Sequence, residues 1–487
     1  MSAQNLIEHP LSTGETVGRA LPDSTHAISM SLPRWSDVVG YEEHQPEVWS
    51  HIKMGYPRFV YHPLVLALVE RLGAGPHCLP QPSERVAKLC VAYIQRVTGE
   101  TAQAIASGGF WAVTTTEAGA VALKAFWQHT GLIVSSRQAE ALLEGRSEDP
   151  QAQETRESLR RQLAGFYDCE PDDVFLTPTG MAAHYAALRA VNTWRPGRPT
   201  VQLGFPYTDT LKLQQKFGFG AQLLHKLETI PRDLKRLMAA RSIAACFCEI
   251  PGNPLLGSAD ITAIAPLLRE RRVPLVIDDV VATSLNIDTR PHAALVATSL
   301  TKFISGTCDV MGGALICNPA SPFYRELKPI LRAGHEELLW GGDAQVLDEQ
   351  ARGFTERMRR HNANGLHLAE RLRDHPNIER VWYPKWECAE AYEALRRPDG
   401  GYGALLTFLP KNATEMAPRI YDAMEVCKGP SLGTVFTLAC PFTLLAHYNE
   451  LDWAESCGVP RNLIRISTGL EDPQELWRRM EHALELK

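Results

Sequence analysis

Short apolar runs alternate with amphipathic stretches through the middle of this chain. Runs with the length and apolar content of buried strands occupy residues 200–203, 244–249, 275–278, 295–299 and 311–317. Helical patterns separate them, most clearly over residues 261–271. Strands that alternate with helices fold as a mostly parallel sheet with helices on both faces. The sequence therefore predicts an α/β fold.

With 487 residues, the chain is too long for a single hydrophobic core. After residue 319 the pattern changes to charged helices at 344–360 and 364–373, further strand-like segments and a closing helix at 473–486. We therefore expect three parts. They are an N-terminal extension and interface segment with an insertion at 1–150, a large domain at 151–330 and a smaller C-terminal α/β domain at 331–487.

Two of the predicted strands end in chemically active side chains. Residues 273–277 lead to Asp278 and Asp279, and residues 294–297 lead to Lys302. Ligands bind at the carboxyl ends of parallel strands in open α/β sheets. An aspartate there could keep a pyridine nitrogen protonated, and a lysine amine could attack a carbonyl. Taken singly, each has an ordinary alternative, a helix N-cap for the aspartate and a surface amine for the lysine.

An anion site is predicted upstream of both. A short strand before residue 178 leads through Thr179-Gly180 into a helix that reaches residue 191. Backbone N–H groups at a helix start, together with the helix dipole, bind phosphate, although an ordinary strand-to-helix turn is the alternative. Near the lysine, Ser299 and Thr301 have the small hydroxyls that suit the side of a bound phosphate. The three parts, in this order, indicate a pyridoxal 5'-phosphate site.

Over most of its length the chain resembles the Cys/Met-metabolism family of pyridoxal-phosphate enzymes, the cystathionine γ-synthase group, and in particular a larger subgroup known from fungi. The family's S-S-G-M is matched by Thr179-Gly180-Met181, and its L-Y-G-G-T by Phe205-Pro206-Tyr207-Thr208-Asp209-Thr210. Its E-S-P-T-N-P is matched by Glu249-Ile250-Pro251-Gly252-Asn253-Pro254, and the aspartate of its V-D-N by Asp278. Its S-x-T-K is matched by Ser299-Leu300-Thr301-Lys302, and its L-V-R-L-S-V-G-I-E by residues 463–471. The resemblance implies a fold-type I transferase, with a mostly parallel sheet in the large domain and a smaller C-terminal α/β domain.

The resemblance also implies a role for each matching residue. Lys302 would hold pyridoxal 5'-phosphate as a Schiff base and move protons, with Tyr207 stacked on the ring and assisting catalysis. The backbone N–H groups of Gly180 and Met181, with the hydroxyls of Ser299 and Thr301, would bind the phosphate, Asn253 would lie near the phenolic oxygen, Asp278 would hold the pyridine nitrogen, and Arg465 with Ser431 would bind the substrate α-carboxylate.

Arg465 supports its assignment independently of the family. It lies in an alternating apolar segment, where an unpaired guanidinium is costly. A bidentate carboxylate is the natural partner of such a group. The alternative is a strand arginine paired with Glu471 or another acid of the chain.

The N-terminal part contains Gly55-Tyr56-Pro57-Arg58, which resembles the family's Y-x-R segment. In relatives this tyrosine and arginine cross the dimer interface to the neighbouring subunit's phosphate. The resemblance therefore implies that Tyr56 and Arg58 bind the cofactor in a homodimer or homotetramer with shared active sites. A second alignment places the interface helix at residues 155–163. Helices are predicted in the insertion at 84–96 and 118–129.

Two segments depart from the family pattern. In residues 430–437, where relatives have S-L-G-G-x-E-S, Thr434 replaces a glycine and Phe436 replaces an acid. The turn at residues 306–309 has Cys308 in a place where G-H-S-D is usual. These changes leave the second substrate undefined.

The resemblance implies γ-replacement on an O-acylated homoserine or on another amino acid with a leaving group at Cγ. A γ- or β-lyase of the same family, which would admit water and release ammonia and a keto acid, is one alternative. A specialised γ-substitution enzyme of secondary metabolism is another. A cofactor-binding regulator without turnover is disfavoured, because Lys302, Arg465 and Tyr207 are all present.

Composition limits the partners. The net charge is −6 with no basic block, so nucleic acid is not expected, and no apolar run reaches the length of a membrane span. The eleven cysteines are scattered, and Cys246-x-Cys248 has no second pair, so we expect reduced thiols and no metal site. Residues 1–5 carry no export or organelle pattern. We expect a cytoplasmic enzyme that acts on small amino acids.

Overall fold

The computed structural model of the protein describes residues 5–486. Residues 1–4, on which the expectation of no targeting signal largely depends, and residue 487 lie outside the described residues. Between residues 5 and 486 no helix is long and apolar enough to cross a membrane.

The strands are numbered in chain order. They are β1 Ala20–Leu21, β2 Ser29–Met30, β3 Cys78–Gln81, β4 Ala102–Ser107, β5 Phe110–Thr115, β6 Val174–Thr177, β7 Thr200–Leu203, β8 Ala221–Leu224, β9 Cys246–Glu249, β10 Leu275–Asp278, β11 Leu295–Ser299, β12 Gly313–Cys317, β13 Ile378–Trp382, β14 Leu405–Pro410, β15 Cys427–Lys428, β16 Leu438–Cys440 and β17 Ile464–Ser467.

The α-helices are numbered in the same way. They are α1 Trp35–Glu42, α2 Pro46–Trp49, α3 Pro63–Leu72, α4 Glu84–Thr98, α5 Glu117–Thr130, α6 Ser136–Leu143, α7 Ala152–Tyr167, α8 Gly180–Trp194, α9 Thr208–Phe217, α10 Ile230–Ala240, α11 Ile261–Glu270, α12 Tyr324–Gly334, α13 Gly341–Ala351, α14 Phe354–Asp374, α15 Ala389–Glu393, α16 Ala413–Ala423, α17 Phe442–His447, α18 Leu451–Ser456 and α19 Pro473–Leu484.

The predicted α/β fold with a mostly parallel sheet is confirmed. Seven strands form a sheet in the order β6-β12-β11-β10-β9-β7-β8, and β12 alone runs antiparallel to its neighbours. All five strands predicted from the apolar runs are present in it. In β10, Val276 packs into the core on one face and Ile277 into the core on the other. Because both faces are covered, the strands are apolar throughout and could be recognised in the sequence.

The C-terminal part contains a second sheet in the order β13-β14-β17-β16-β15. The helices that precede it differ from the prediction of 344–360 and 364–373. The structure has α13 and α14 instead, and the break falls at Arg352 and Gly353. Gly353 serves as the N-cap of α14, and glycine is a poor residue for a helix interior. Asn364, placed at the start of a helix, lies inside α14, where its side chain donates to the carbonyl oxygens of Gly469 and Glu471.

The insertion forms its own three-stranded antiparallel sheet, β3-β5-β4, beside α4 and α5. The two helices match the predicted 84–96 and 118–129 closely, but the sheet was not predicted. β4 has only one fully buried residue, and β3 contains a proline, so neither has an apolar or alternating pattern. The segment of the alternative alignment, 155–163, lies in α7, which packs on α13.

The N-terminal segment is tied to the C-terminal sheet by a buried lysine. Lys428 is fully buried, and its amine donates to the carbonyl oxygens of Ser12, Pro33 and Asp422 at 3.2, 3.1 and 2.8 Å. Burial lowers the pKa of Lys428 to about 8. These contacts set where α1 lies relative to the rest of the molecule.

Candidate active site

A cavity of about 470 Å³ opens at the carboxyl ends of β9, β10 and β11. The N-terminal segment and α17 enclose it from above. Eleven of the twelve predicted site residues line it: Tyr56, Arg58, Gly180, Met181, Tyr207, Asn253, Asp278, Ser299, Lys302, Ser431 and Arg465. A second cavity, of about 440 Å³ between α4, α8 and α12, contains none of them. We therefore consider the first cavity as the candidate active site.

Lys302 follows β11 and points into this cavity. Its amine donates to the Ser431 hydroxyl at 2.9 Å and lies 4.5 Å from the centre of the Tyr56 ring. Gly433, with a φ of +76°, packs against the lysine backbone, and a Cβ there would lie 2.7 Å from the nitrogen of Phe303. The loop that carries Ser431 therefore needs glycine at 433 to approach the lysine.

The two aspartates at the end of β10 face different environments. Asp278 accepts from His184 Nε2 at 2.8 Å and from the backbone nitrogen of Val280 at 2.9 Å. Asp279 is fully buried and accepts from the Tyr167 hydroxyl, and burial raises its pKa to about 7. Only Asp278 lines the cavity, as the alternation of side chains along a strand requires.

His184 was missed in the sequence. It lies one turn after Gly180 on α8, and positions four apart occupy one face of a helix. Its side chain is 4 % exposed, and Nδ1 has no partner in residues 5–486. The spacing from the phosphate turn was the only available signal, and it does not by itself distinguish a functional histidine from a core histidine.

Glu249 was also missed, although it begins the family's E-S-P-T-N-P segment. Its carboxylate accepts from the backbone nitrogens of Tyr207 and Asn253. Burial, and then the nearby Asp278, raise the pKa of Glu249 well above its usual value. Glu249, which itself lines the cavity, therefore positions two of the predicted site residues.

The predicted phosphate turn is at the start of α8. Thr179 caps the helix by accepting from the nitrogen of Ala182 at 3.1 Å, which leaves Gly180 and Met181 at the cavity wall. A Cβ at Gly180 would lie 2.8 Å from the Cβ of Ser299, so glycine lets the helix start approach β11. Backbone N–H groups at such a helix start suit a phosphate.

Thr301 does not share this position. It is buried, and its hydroxyl accepts from the nitrogen of Gly312 at 3.0 Å and lies 3.3 Å from the same residue's carbonyl oxygen. Thr301 does not line the cavity. The Thr301 hydroxyl holds the turn that follows β11, and its contact with a phosphate stays a prediction.

Arg58 lines the cavity of its own chain, whereas the resemblance to the family implies that it reaches the cofactor of a neighbouring subunit. Its guanidinium pairs with Asp209 and donates to the Tyr207 hydroxyl at 2.7 Å and to the carbonyl oxygen of Gln128. Tyr56 lies beside the lysine of the same chain. The insertion holds the segment that contains Arg58 in this position, because its helix α5 supplies the carbonyl oxygen of Gln128.

Asp209 is fully buried between Arg58 and His129. Arg58 contacts one of its oxygens, and His129 Nδ1 lies 3.0 Å from the other. Burial alone would raise the pKa of Asp209, but Arg58 and His129 hold it below the usual value. For Tyr207, burial is the stronger influence and raises the pKa, although Arg58 opposes it.

Arg465 is 5 % exposed at the opposite side of the cavity. It donates to the carbonyl oxygen of Ser431 at 2.6 Å and to Asn253 Oδ1 at 3.3 Å, and it lies 4.7 Å from the centre of the Phe442 ring. Within residues 5–486 no carboxylate pairs with it. Glu471, the alternative partner, accepts from the nitrogen and the hydroxyl of Thr437 instead. A buried guanidinium without an acid is suited to bind a carboxylate ligand.

The residues that depart from the family pattern lie outside the cavity lining. Thr434 and Phe436 are 2 % and 3 % exposed and do not line it. Cys308 is also buried, and burial raises its pKa to about 12, so its thiol stays protonated at neutral pH.

The groups in the cavity fit pyridoxal 5'-phosphate. Lys302 supplies an amine for the aldehyde, Asp278 a carboxylate for the pyridine nitrogen, and the start of α8 a set of N–H donors for the phosphate.

Two family models match the chain. Residues 124–485 match the Cys/Met metabolism PLP-dependent enzyme model, and residues 62–135 match the fungal trans-sulfuration enzyme N-terminal domain. The second match covers most of the insertion.

Whole proteins also match. A cystathionine gamma-synthase of Neurospora crassa is 32 % identical over 96 % of this chain and 98 % of its own length. An L-2-amino-4-chloropent-4-enoate dechlorinase/desaturase of Streptantibioticus cattleyicolor is 33 % identical over 94 % of this chain and 95 % of its own. Among solved structures, a cystathionine gamma-lyase from Micromonospora echinospora has a TM-score of 0.60 and 28 % identity, over 70 % of this chain and 88 % of its own.

Replacing Asp209 by Asn tests the buried ion pair. Removing one partner leaves the other charge uncompensated, so the free energy of unfolding should fall by about 3–5 kcal/mol at pH 7. The folded pKa of Asp209 is lowered, so its contribution is complete above the unfolded pKa and is lost as the pH falls through the folded value. The difference between wild type and variant, measured by urea unfolding, should therefore narrow in acid.

Asp233→Asn is the matched control, because Asp233 pairs with Arg232 on the exposed surface. Its effect on unfolding should be far smaller. Equal effects of the two substitutions would contradict the importance of the Arg58–Asp209 pair.

Proposed function

The chain belongs to the Cys/Met metabolism PLP-dependent enzyme family, and from this premise we propose that it catalyses γ-replacement on an O-acylated homoserine or a similar amino acid with a leaving group at Cγ. One observation carries the proposal. A single cavity combines the amine of Lys302, the carboxylate of Asp278 and the buried, acid-free guanidinium of Arg465. These are the groups needed to bind the cofactor and an amino-acid substrate side by side.

Pyridoxal 5'-phosphate, when bound, withdraws electrons from the substrate and so makes its Cα proton acidic. In our proposal the N–H groups of Gly180 and Met181 and the hydroxyl of Ser299 hold its phosphate. Asp278 keeps the pyridine nitrogen protonated. This assignment is supported by His184, because a donor 2.8 Å from the carboxylate fixes its orientation.

The other contacts to the cofactor involve Tyr207 and Asn253. The Tyr207 ring would stack on the cofactor, with its hydroxyl oriented by Arg58. Asn253 would lie near the phenolic oxygen, and Glu249 holds the backbone of both residues. On the resemblance to the family, the Thr301 hydroxyl is proposed to bind the phosphate beside Ser299.

Substrate binding is proposed to depend on Arg465. A bidentate pair with the α-carboxylate would orient the substrate, with Ser431 beside it. The Ser431 carbonyl oxygen and Asn253 Oδ1 already fix the guanidinium plane. A guanidinium held in one plane suits a bidentate contact with a carboxylate.

Proton transfer is assigned to Lys302. Its amine would take the proton from Cα, deliver it to C4′ of the cofactor and, neutral again, take one from Cβ, which allows the acyloxy group to leave Cγ as a carboxylate. A thiol would then bond to Cγ with loss of its own proton, and the lysine would return protons to Cβ and Cα. The Ser431 hydroxyl, 2.9 Å from the amine, positions it between these carbons.

Elimination is the second candidate. A γ- or β-lyase would use the same groups and release a keto acid and ammonia. The likeness to a solved γ-lyase and to a dechlorinase/desaturase favours this alternative, and the second of them also supports specialised substitution chemistry. Product analysis by mass spectrometry, with O-acylated homoserines in the presence and absence of L-cysteine, distinguishes replacement from elimination.

We also propose the larger organisation. Residues 1–150 form the extension and interface segment, 151–330 the cofactor-binding domain and 331–487 the small domain. A homodimer or homotetramer is proposed on the resemblance to the family, and a cytoplasmic location is supported by eleven free cysteines. Light scattering of the purified protein measures the assembly.

Cofactor linkage is expected at Lys302. Borohydride should fix pyridoxal phosphate to the peptide that contains residue 302, detected by its mass, and Lys302→Ala should lose both the label and turnover. Lys212→Ala removes another lysine that lines the cavity and should keep the label. A label that remains in Lys302→Ala would contradict the assignment.

Carboxylate capture is expected at Arg465. Arg465→Lys keeps the charge but loses the planar fork, so apparent substrate affinity should fall by about 1–3 kcal/mol. The absorbance spectrum of the bound cofactor without substrate should be unchanged. A changed spectrum with unchanged substrate affinity would instead assign Arg465 to the cofactor.

Subunit mixing tests whether Arg58 serves its own chain. Arg58 and Lys302 line the same cavity of one chain, so oligomers mixed from Arg58→Ala and Lys302→Ala subunits should stay inactive. Different affinity tags on the two subunits verify exchange, and wild type mixed with Lys302→Ala provides the active control. Activity that neither parent has would show that the arginine acts across subunits.

A further inference from the structure

Helix α1 carries an acid into the upper wall of the active-site cavity. Tyr41 and Glu42, at the end of α1, line the same cavity as Lys302. Both residues precede the segments matched by the two family models, which begin at residues 62 and 124. Nothing in those matches assigns them a role.

The Glu42 carboxylate has no partner within the described part of the chain. No hydrogen bond or ion pair involves its side chain, and it is half-buried. Burial raises its pKa to about 7. Glu42 therefore has the environment of a carboxylate that gains from a cationic ligand.

Glu42 is also the one free acid of the cavity. Within residues 5–486 the cavity is lined by three carboxylates, those of Glu42, Glu249 and Asp278. Glu249 accepts from two backbone nitrogens and Asp278 accepts from His184. Phe436 is buried away from the cavity and brings no charge to it.

The backbone around Glu42 is firmly held. At the start of α1 the backbone nitrogen and the guanidinium of Arg34 donate to Asp37, and the nitrogen of Trp35 donates to Asp422 on α16 at 2.7 Å. At the end of α1, the Tyr41 ring stacks on Trp49 with 5.3 Å between the ring centres. A carboxylate on such a support acts as a fixed binding group.

The cavity extends from Arg465 to Glu42 along helix α17. Phe442 of α17 lies over the Arg465 guanidinium, and Leu445 and Ala446 of the same helix line the wall towards α1. A substrate anchored at Arg465 would therefore extend past Lys302 towards the N-terminal segment. The second reactant would enter between them.

We propose that Glu42 binds the ammonium group of the second substrate, so that the nucleophile is an α-amino acid or another thiol that carries a positive charge. The proposal rests on the proposed γ-replacement and names the substrate class of that site. Lys124, an exposed lysine of α5 that lines the same cavity, offers a cation to the carboxylate of such an amino acid. Glu42 lies outside the proton transfers and acts only on binding and selectivity.

Equilibrium binding to the holoenzyme tests the contact without requiring turnover. The probes are L-cystathionine and S-(2-carboxyethyl)-L-homocysteine, which lacks only the distal ammonium group. Cofactor absorbance reports binding of each. Wild type should prefer L-cystathionine, and Glu42→Gln should weaken that ligand about ten-fold or more, as expected for a lost charge-assisted hydrogen bond. Binding of the second probe should stay unchanged in Glu42→Gln.

Glu47→Gln is the matched control, since Glu47 is an exposed glutamate of the neighbouring helix α2. It should bind both probes as wild type does. Equal affinity of wild type for the two probes, or an undiminished preference in Glu42→Gln, would overturn the proposal. Equal weakening of both probes would assign Glu42 to the fold and would also overturn it.

Turnover separates this proposal from the proposed function. With an O-acylated homoserine, Glu42→Gln should raise the KM for L-cysteine and leave the KM for 3-mercaptopropionate and both kcat values unchanged. If wild type forms no replacement product with either thiol, γ-replacement is wrong, while the binding comparison still decides the role of Glu42.

Discussion

The buried pair of Arg58 and Asp209 joins three parts of the molecule that are far apart in sequence. Arg58 belongs to the N-terminal segment, Asp209 to the start of α9, and Gln128 and His129, which contact the same pair, to the insertion. Through Arg58, the pair also orients the Tyr207 hydroxyl. Breaking such a pair exposes an uncompensated charge, so each part holds the other two in place.

Charge is distributed unevenly around the cavity. Four acids lie at or close to its wall, Glu249, Asp278 and Asp279 at the ends of β9 and β10 and Glu42 at the end of α1, yet only Asp278 accepts a hydrogen bond from a histidine. Burial raises the pKa of Glu249, Asp279 and Glu42, which lowers the negative charge near the lysine at neutral pH. The same environment that suppresses these charges strengthens any pairing with a cationic ligand.

The core of the fold could be predicted because its strands are covered on both faces and are therefore apolar throughout. The site residues Gly180, Asp278 and Lys302 could be predicted, because the chemistry required at each of these positions restricts the residue type. The sheet of the insertion could not, because β4 is half-exposed and lacks a pattern. His184 and Glu249 act through contacts that link distant elements, and the position of Arg58 in its own chain depends on partners in the insertion. The sequence did not indicate a functional role for Glu42, because an isolated glutamate near the end of a helix is common.

The buried contacts of Lys428 affect the order in which parts of the protein fold during synthesis. Its amine binds Ser12 and Pro33, and the contact with Ser12 spans 416 residues of sequence. During synthesis the segment that contains Ser12 and Pro33 leaves the ribosome long before Lys428 is synthesised. Contacts of such separation form late, because the chain must first close a large loop. The large sheet can fold before the N-terminal segment packs over the carboxyl ends of its strands. A nascent chain would therefore expose Lys302 to solvent until the last sixty or so residues are in place.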